Sequence, residues 1–265
     1  LSITNFMYDG ISLNSFKDGK YVMANFTTGN VPTEGQRNIV QTSMFSGKEQ
    51  PFLYQNYSST LSFIISIIKN PCMDDNIYFS VEDIEELKRW LCRPAPHIFR
   101  LIDSQYNDVY WEGTFNITEE VTGSNRIGVT MTFISTRPFA LQNDVQFYGT
   151  VDSGSPITIN DPSVEQGFLY PDMVVVCLNS GDLIIYNDFE DRTTIVKNCE
   201  SGEEITFSKY LQISSSNETH DIYNDFNYQF FRICNNYETN ENVVTFSLPC
   251  RYNITYNPIR KVIPI

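Results

Sequence analysis

Residues 80–115 read SVEDIEELKRWLCRPAPHIFRLIDSQYNDVYWEGTF, and this stretch decides the fold. It holds one helix signature inside a chain otherwise patterned as strands. Ser80 is placed to accept a hydrogen bond from the unpaired N–H groups of a helix start. Asp83, three residues on, can answer it as a variant of the capping box, where Glu or Gln is usual. Glu82, Asp83, Glu85 and Glu86 lie toward the positive end of the helix dipole, and Lys88 and Arg89 toward the negative end. Ile84, Leu87, Trp90 and Leu91 recur at helical spacing and form one apolar stripe; Pro94 and Pro96 then stop the element. A helix over 81–91 is therefore predicted. About three turns of helix are marginal in water, so the stripe must dock on something, and the neighbouring chain offers sheets.

Before the helix, strands are expected near Tyr21–Thr27, Asn38–Phe45 and Thr60–Ile68, with the apolar run Leu61–Ile68 buried. After it they are expected near His97–Ile102, Asp108–Thr118 and Arg126–Ile134. In the last of these, Ile127, Val129, Met131 and Phe133 alternate with Arg126, Gly128, Thr130 and Thr132, the period of a half-buried strand. Residues 137–144 show no pattern and are read as the boundary between a domain at 1–140 and a second at 141–265. The second half reads as short strands without a competing helix. They fall near Ser155–Ile159, Met173–Leu178, Asp182–Asn187, Thr193–Asn198, Glu204–Phe207, Leu211–Ser215, Tyr228–Cys234, Val243–Leu248 and Arg251–Tyr256. Many short strands with polar turns argue for a β-sandwich.

The formal charge of −14 over 265 residues argues against a nucleic-acid partner, because phosphate contacts need a basic face. No run approaches the ~20 apolar residues of a membrane-spanning helix. The charge is uneven: residues 1–140 hold 11 Lys and Arg against 15 Asp and Glu, and the remainder holds 7 against 17. The second half is therefore read as the more solvated part. Six cysteines lack any CxxC pair, which argues against a zinc ribbon. Cys177, Cys234 and Cys250 read as buried small hydrophobes, and the six are expected as reduced thiols in a chain assembled in a cytoplasm. The five N-x-S/T sequons are about what 25 Asn in this chain produce by chance.

No catalytic, cofactor or metal constellation emerges. There are two histidines: His97 reads as structural, and His220, in the polar loop NETHDIYND, as solvent-exposed. The acidic turn of Asp188, Glu190 and Asp191 lacks calcium-loop spacing and reads as solvated. Trp90 reads as core, while Trp111 stays open between core and surface. Tyr223, Phe226 and Tyr228 make the best candidate contact surface, for carbohydrate or protein, although alternate residues there also suit a sandwich core.

These pieces resemble the distal tail protein (Dit) family of long-tailed bacteriophages. The likeness rests on Tyr8-Asp9-Gly10, on EELKRWLCRP from Glu85 to Pro94, on the following IFRLID and DVYWEGTF strands, and on RPFA from Arg137 to Ala140. The terminal stretch ENVVTFSLPCRYNITYNPIRKVI resembles the family's last strands. The resemblance implies an N-terminal split β-barrel with one helix that forms a hexameric ring, and a C-terminal galectin-like β-sandwich. It implies a non-enzymatic structural protein of the virion tail tip or baseplate, assembled in the host cytoplasm. Its implied partners are further copies of itself, the tail tube protein, the tail hub protein and receptor-binding proteins. A lectin-like adhesin acting through Tyr223, Phe226 and Tyr228 is the alternative.

Overall fold

The computed structural model describes residues 5–24, 37–42, 52–57, 59–73 and 75–262. The chain divides into two compact units, Leu1–Gln142 with Lys261–Ile265, and Asn143–Arg260. The first unit carries β1 (Phe6–Tyr8), β2 (Ile11–Ser12), β3 (Tyr21–Ala24), β4 (Arg37–Thr42), β5 (Phe52–Tyr57), β6 (Ser62–Lys69), α1 (Val81–Leu91), β7 (His97–Leu101), β8 (Val109–Thr122), β9 (Asn125–Ser135) and β10 (Ala140–Gln142). Its main sheet runs β2-β1-β7-β8-β9-β6-β3, with β10 also beside β8, while β4 and β5 pair separately. This path is open: the described pairings do not close it into a barrel. The predicted strands near Tyr21–Thr27 and Asn38–Phe45 correspond to β3 and β4, and residues 25–27 and 43–45 lie outside the described residues.

α1 forms as its sequence demands. The Ser80 hydroxyl accepts from the Asp83 N–H at 3.2 Å, and the Asp83 carboxylate accepts from the Ser80 N–H at 2.9 Å. Ile84, Leu87, Trp90 and Leu91 are all buried in the same core as Phe63, Phe99, Phe115 and Phe133 from the sheet. Trp90 stacks on Phe16 with ring centroids 4.3 Å apart, and its indole N–H donates to the Tyr8 carbonyl at 3.3 Å. Trp111 is also core. In β6 Phe63, Ile65 and Ile67 are buried in the core, whereas on the opposite face Ile64 is exposed although Ser66 is covered. The expectation that the whole Leu61–Ile68 run is buried fails there, because the period of a strand sends Ile64 to the opposite face. Gly113 has a specific reason: a Cβ there would lie 2.3 Å from the Ile134 carbonyl oxygen and 2.6 Å from the Phe133 ring. Only glycine lets β8 and β9 approach so closely.

The helix is also held by charge. Lys69 at the end of β6 and Lys20 just before β3 both pair with Asp83; the Lys69 Nζ lies 2.9 Å from Oδ2, and these two side chains are 4% and 5% exposed. The Tyr21 hydroxyl is 3.2 Å from Oδ1. Burial alone would raise the Asp83 carboxyl, but the bonds from Lys20, the Ser80 N–H and Lys69 outweigh it and hold the group well below the usual carboxylate range.

The second unit carries β11 (Val145–Val151), β12 (Pro156–Asn160), β13 (Gly167–Leu169), β14 (Asp172–Cys177), β15 (Gly181–Asn187), β16 (Arg192–Cys199), β17 (Glu204–Ser208), β18 (Gln212–Ser215), α2 (Ile222–Asp225), β19 (Ile233–Asn235), β20 (Glu241–Phe246) and β21 (Cys250–Tyr256). A five-stranded sheet, β11-β21-β14-β17-β18, and a four-stranded sheet, β12-β20-β15-β16, share one core; β13 and β19 form a separate pair. Inside it, the fully buried Asn242 amide copies a backbone ladder: Oδ1 accepts from the Cys234 N–H at 2.9 Å and Nδ2 donates to the Cys234 carbonyl at 2.8 Å. Three expectations are corrected here. Residues 137–144 are not patternless, since β10 lies within them and β11 starts directly after them. The second half does contain a helix, the single turn α2. Tyr228–Cys234 is not one strand; only Ile233–Asn235 pairs, because Tyr228 adopts φ +57° and breaks the extended run.

Replacing Asp83 by Asn leaves two lysine charges facing an uncharged amide, one of them buried. The expected loss is about 3–5 kcal/mol in urea unfolding. Because the folded carboxyl is depressed, the difference between wild type and Asp83→Asn is full above the unfolded Asp range, near pH ~4, and shrinks as pH falls below it. A difference that stays constant down to the lowest pH at which the fold survives would contradict this assignment.

Candidate functional site

The sequence-predicted contact residues lie on and after α2. Tyr223 and Tyr228 are 63% and 64% exposed, and the Tyr228 hydroxyl donates to the Tyr223 carbonyl at 2.9 Å. Phe226 does not belong to that surface. It is buried in the core, with ring centroids 4.9 Å from Phe230 and 6.0 Å from Phe207. The left-handed backbone at Tyr228 explains the split: it turns the Tyr228 ring outward between the buried Phe226 and the half-buried Phe230. Asn227 ties the segment to β16, donating from its backbone to the Ile195 carbonyl and from Nδ2 to the Thr193 carbonyl, and accepting from the Ile195 N–H.

Under this corner sits a cluster that the sequence reading missed. His220 is not solvent-exposed; its side chain is 3% exposed and that of Glu203 1%. The His220 Nδ1 lies 2.5 Å from Glu203 Oε1, which also accepts from the Ser215 hydroxyl at 2.5 Å, while Oε2 accepts from the Glu200 N–H at 2.7 Å. The His220 Nε2 is 3.3 Å from the Asp225 carboxylate, close enough for charge pairing but off the line of a hydrogen bond. Asp225 in turn accepts from Asn198 at 3.0 Å. Burial alone would lower the His220 pKa, but the bond and charge of Glu203 outweigh it and raise it. Burial would likewise raise the Glu203 carboxyl, yet Ser215, the Glu200 N–H and His220 hold it below its ordinary value. Both shifts favour the ion pair, and the contacts pin the start of α2 to the end of β18. Among the described residues no hydroxyl or thiol is hydrogen-bonded to His220, so the cluster does not present a nucleophile–base pair. The only advance signal was the pairing of a histidine with acids in NETHDIYND, which also reads as a soluble loop.

The other candidates separate. His97 is structural, 3.3 Å from the Asp9 carboxylate and edge-on to Tyr8. The acidic turn is not a shared site: Glu190 pairs with Arg232 at 2.5 Å, Asp188 accepts from the Val243 N–H and Asp191 from the Tyr186 hydroxyl. Glu190 is half-buried rather than solvated, since Arg232 draws it against the fold. Among the described residues no group of His, Cys, Asp and Glu side chains is arranged to hold a metal ion.

Comparison with known proteins settles the family. A model described as the phage tail protein N-terminal domain matches residues 1–137, and one described as the phage tail C-terminal domain matches residues 139–256. The chain belongs to the phage tail proteins. Its fold is similar to that of the crystal structure of the SPP1 Dit protein (gp 19.1), titled a paradigm of the hub adsorption apparatus in phages infecting Gram-positive bacteria. The TM-score is 0.66 at 12% identity, covering 97% of this chain and 99% of that one. No match is found among curated proteins. For a phage tail protein, a buried charge cluster under an exposed pair of tyrosines is a way to keep a surface corner rigid.

Substituting His220 by Gln leaves Glu203 buried without its cation and is expected to cost roughly 3–5 kcal/mol near neutral pH. Since the His220 pKa is raised, that contribution is full below the unfolded histidine value of ~6.5 and is lost as pH rises through the higher folded value. Thermal melts of wild type and His220→Gln that diverge at pH 6 and converge in alkaline buffer are the expected result.

Proposed function

We propose that this chain is a distal tail protein, a structural component of the phage tail tip or baseplate. In this reading six copies form a ring that joins the tail tube to the hub and the adsorption apparatus. The observation that carries it is the fold likeness to SPP1 Dit over nearly the full length of both chains, spanning both units. The first unit, 1–140 in the sequence reading, is the split-barrel ring former. The second, 141–265, is the galectin-like sandwich, and receptor-binding proteins dock on it. A ring of this kind closes by rotation through head-to-tail contacts. Among the described residues β3 is a terminal strand of the main sheet, and the end of a sheet is where a strand of a neighbouring copy can add. The role needs no catalytic centre or cofactor. The net charge of −14 fits protein partners rather than nucleic acid or an anionic membrane surface. Free thiols at all six cysteines fit assembly in the host cytoplasm.

Light scattering with negative-stain imaging tests the ring. A species near six times 30.6 kDa with a central hole is expected, alone or beside its tube partner. A chain that stays monomeric at high concentration and in the presence of the tube protein contradicts it. The second reading, a carbohydrate-binding adhesin, draws on the exposed Tyr223 and Tyr228. It requires a glycan-array signal that falls at least tenfold in Tyr223→Ala and Tyr228→Ala; silence of the wild type removes it.

A further inference from the structure

The segment 217–224 is held to the second unit by side chains rather than by its backbone. Just before it, the Ser216 N–H donates to the Glu204 carbonyl at 2.9 Å; just after it, the Asn227 N–H donates to the Ile195 carbonyl at 3.0 Å. Between these points, among the described residues, no backbone-to-backbone hydrogen bond joins 217–224 to a strand; those it makes stay within 217–225. The Asn217 N–H reaches the Ser215 hydroxyl, and the Tyr223 carbonyl accepts from the Tyr228 hydroxyl. The remaining hold is the buried Ile222 side chain and the His220 imidazole between Glu203 and Asp225. A stretch without a ladder of its own opens locally at less cost than the strands beneath it.

We propose that 217–224 is a strap, held shut by the charged His220 imidazole and released when that ring loses its proton, while the sandwich beneath it stays folded. The two ring nitrogens play different parts. Nδ1 lies 2.5 Å from Glu203 Oε1, and a neutral ring still donates there. Nε2 lies 3.3 Å from the Asp225 carboxylate. With its proton it meets that carboxylate as part of a cation; without it, a lone pair faces a negative charge across the same gap. Asp225 is itself tied, by Asn198 at 3.0 Å and by the buried Phe226 next in the chain, so the strap gives way instead. Ser215 of β18 and the Glu200 N–H keep Glu203 in place. Cys199 at the end of β16 and Cys177 at the end of β14, whose N–H donates to the Glu203 carbonyl, are the other titratable groups nearby. Lys197 of β16, Glu204 of β17, and Glu218 and Asp221 of the strap are exposed. Burial works against the charged ring, but Glu203 outweighs it, so release comes above the ordinary histidine value of ~6.5. Tyr223 rides on the strap and Tyr228 on the bonded stretch after it, so release parts the two exposed tyrosines. The device belongs to this chain alone and stands apart from ring formation.

Amide hydrogen exchange of the full chain tests it. The probes are the His220, Ile222 and Asn224 amides, which donate within the segment, and the β14 amides from Met173 to Val176 are the reference. Protection factors are taken relative to the free-peptide rate at each pH. They are expected to fall ~tenfold or more in the strap between pH ~6 and pH ~9, and to stay level in β14. His220→Gln is expected to show the open strap already at pH ~6. Asp225→Asn puts an amide donor opposite Nε2 and is expected to keep the strap protected at pH ~9. Strap protection that stays level across this range, or falls only together with β14, overturns the proposal. So does a pH response that survives in His220→Gln, which would assign it to Cys177 or Cys199. If His220→Gln does not fold, Asp225→Asn decides: a pH response as large as that of wild type overturns the proposal.

Discussion

The Asp83 carboxylate is the constraint on which the first unit depends. It caps α1 through the Ser80 N–H and neutralises Lys69 at the end of β6 and Lys20 before β3. Apolar burial supplies most of the driving force, but it is non-directional and would accept α1 at several rotations on the sheet. The charged contacts accept only one. A buried ion pair of this kind is weak evidence for stability; what it adds here is direction, because a rotated helix would leave Lys69 without the Asp83 carboxylate. The same residue therefore sets the start of the helix, its register on the sheet and the course of the chain into β3.

How legible was this? α1 was readable to its end residues because capping, dipole and stripe signals all agree within one stretch. The role of Asp83 beyond the cap was not readable, since its two lysines come from sites 63 and 14 positions away in the chain and no local pattern joins them. The alternating strands β8 and β9 were found by their period. β11 was missed because its residues are only half-covered and Gly149 interrupts its more covered face. His220 was misread for the opposite reason. Polar neighbours usually mean solvent, and the buried carboxylate that holds it, Glu203, lies 17 positions away in the chain, so only Asp225 comes from its own loop.

The candidate surface was half legible. Composition pointed to the aromatic segment after α2, and Tyr223 and Tyr228 do face out. The assignment of Phe226 to that surface failed because it assumed one extended strand with strict alternation. The left-handed residue at Tyr228 interrupts the strand and lets Phe226, Phe230 and Phe231 all pack inward or nearly so. The result is a rigid corner rather than a cleft.

The central claim is that this chain is a fixed part of the tail tip. Antibodies raised against the purified protein, imaged on intact phage particles by immunogold electron microscopy, test it most directly. The account predicts gold confined to the distal end of the tail, beyond the last tube ring. Label along the tube, on the capsid, or absent from particles whose tips are intact and accessible would contradict it.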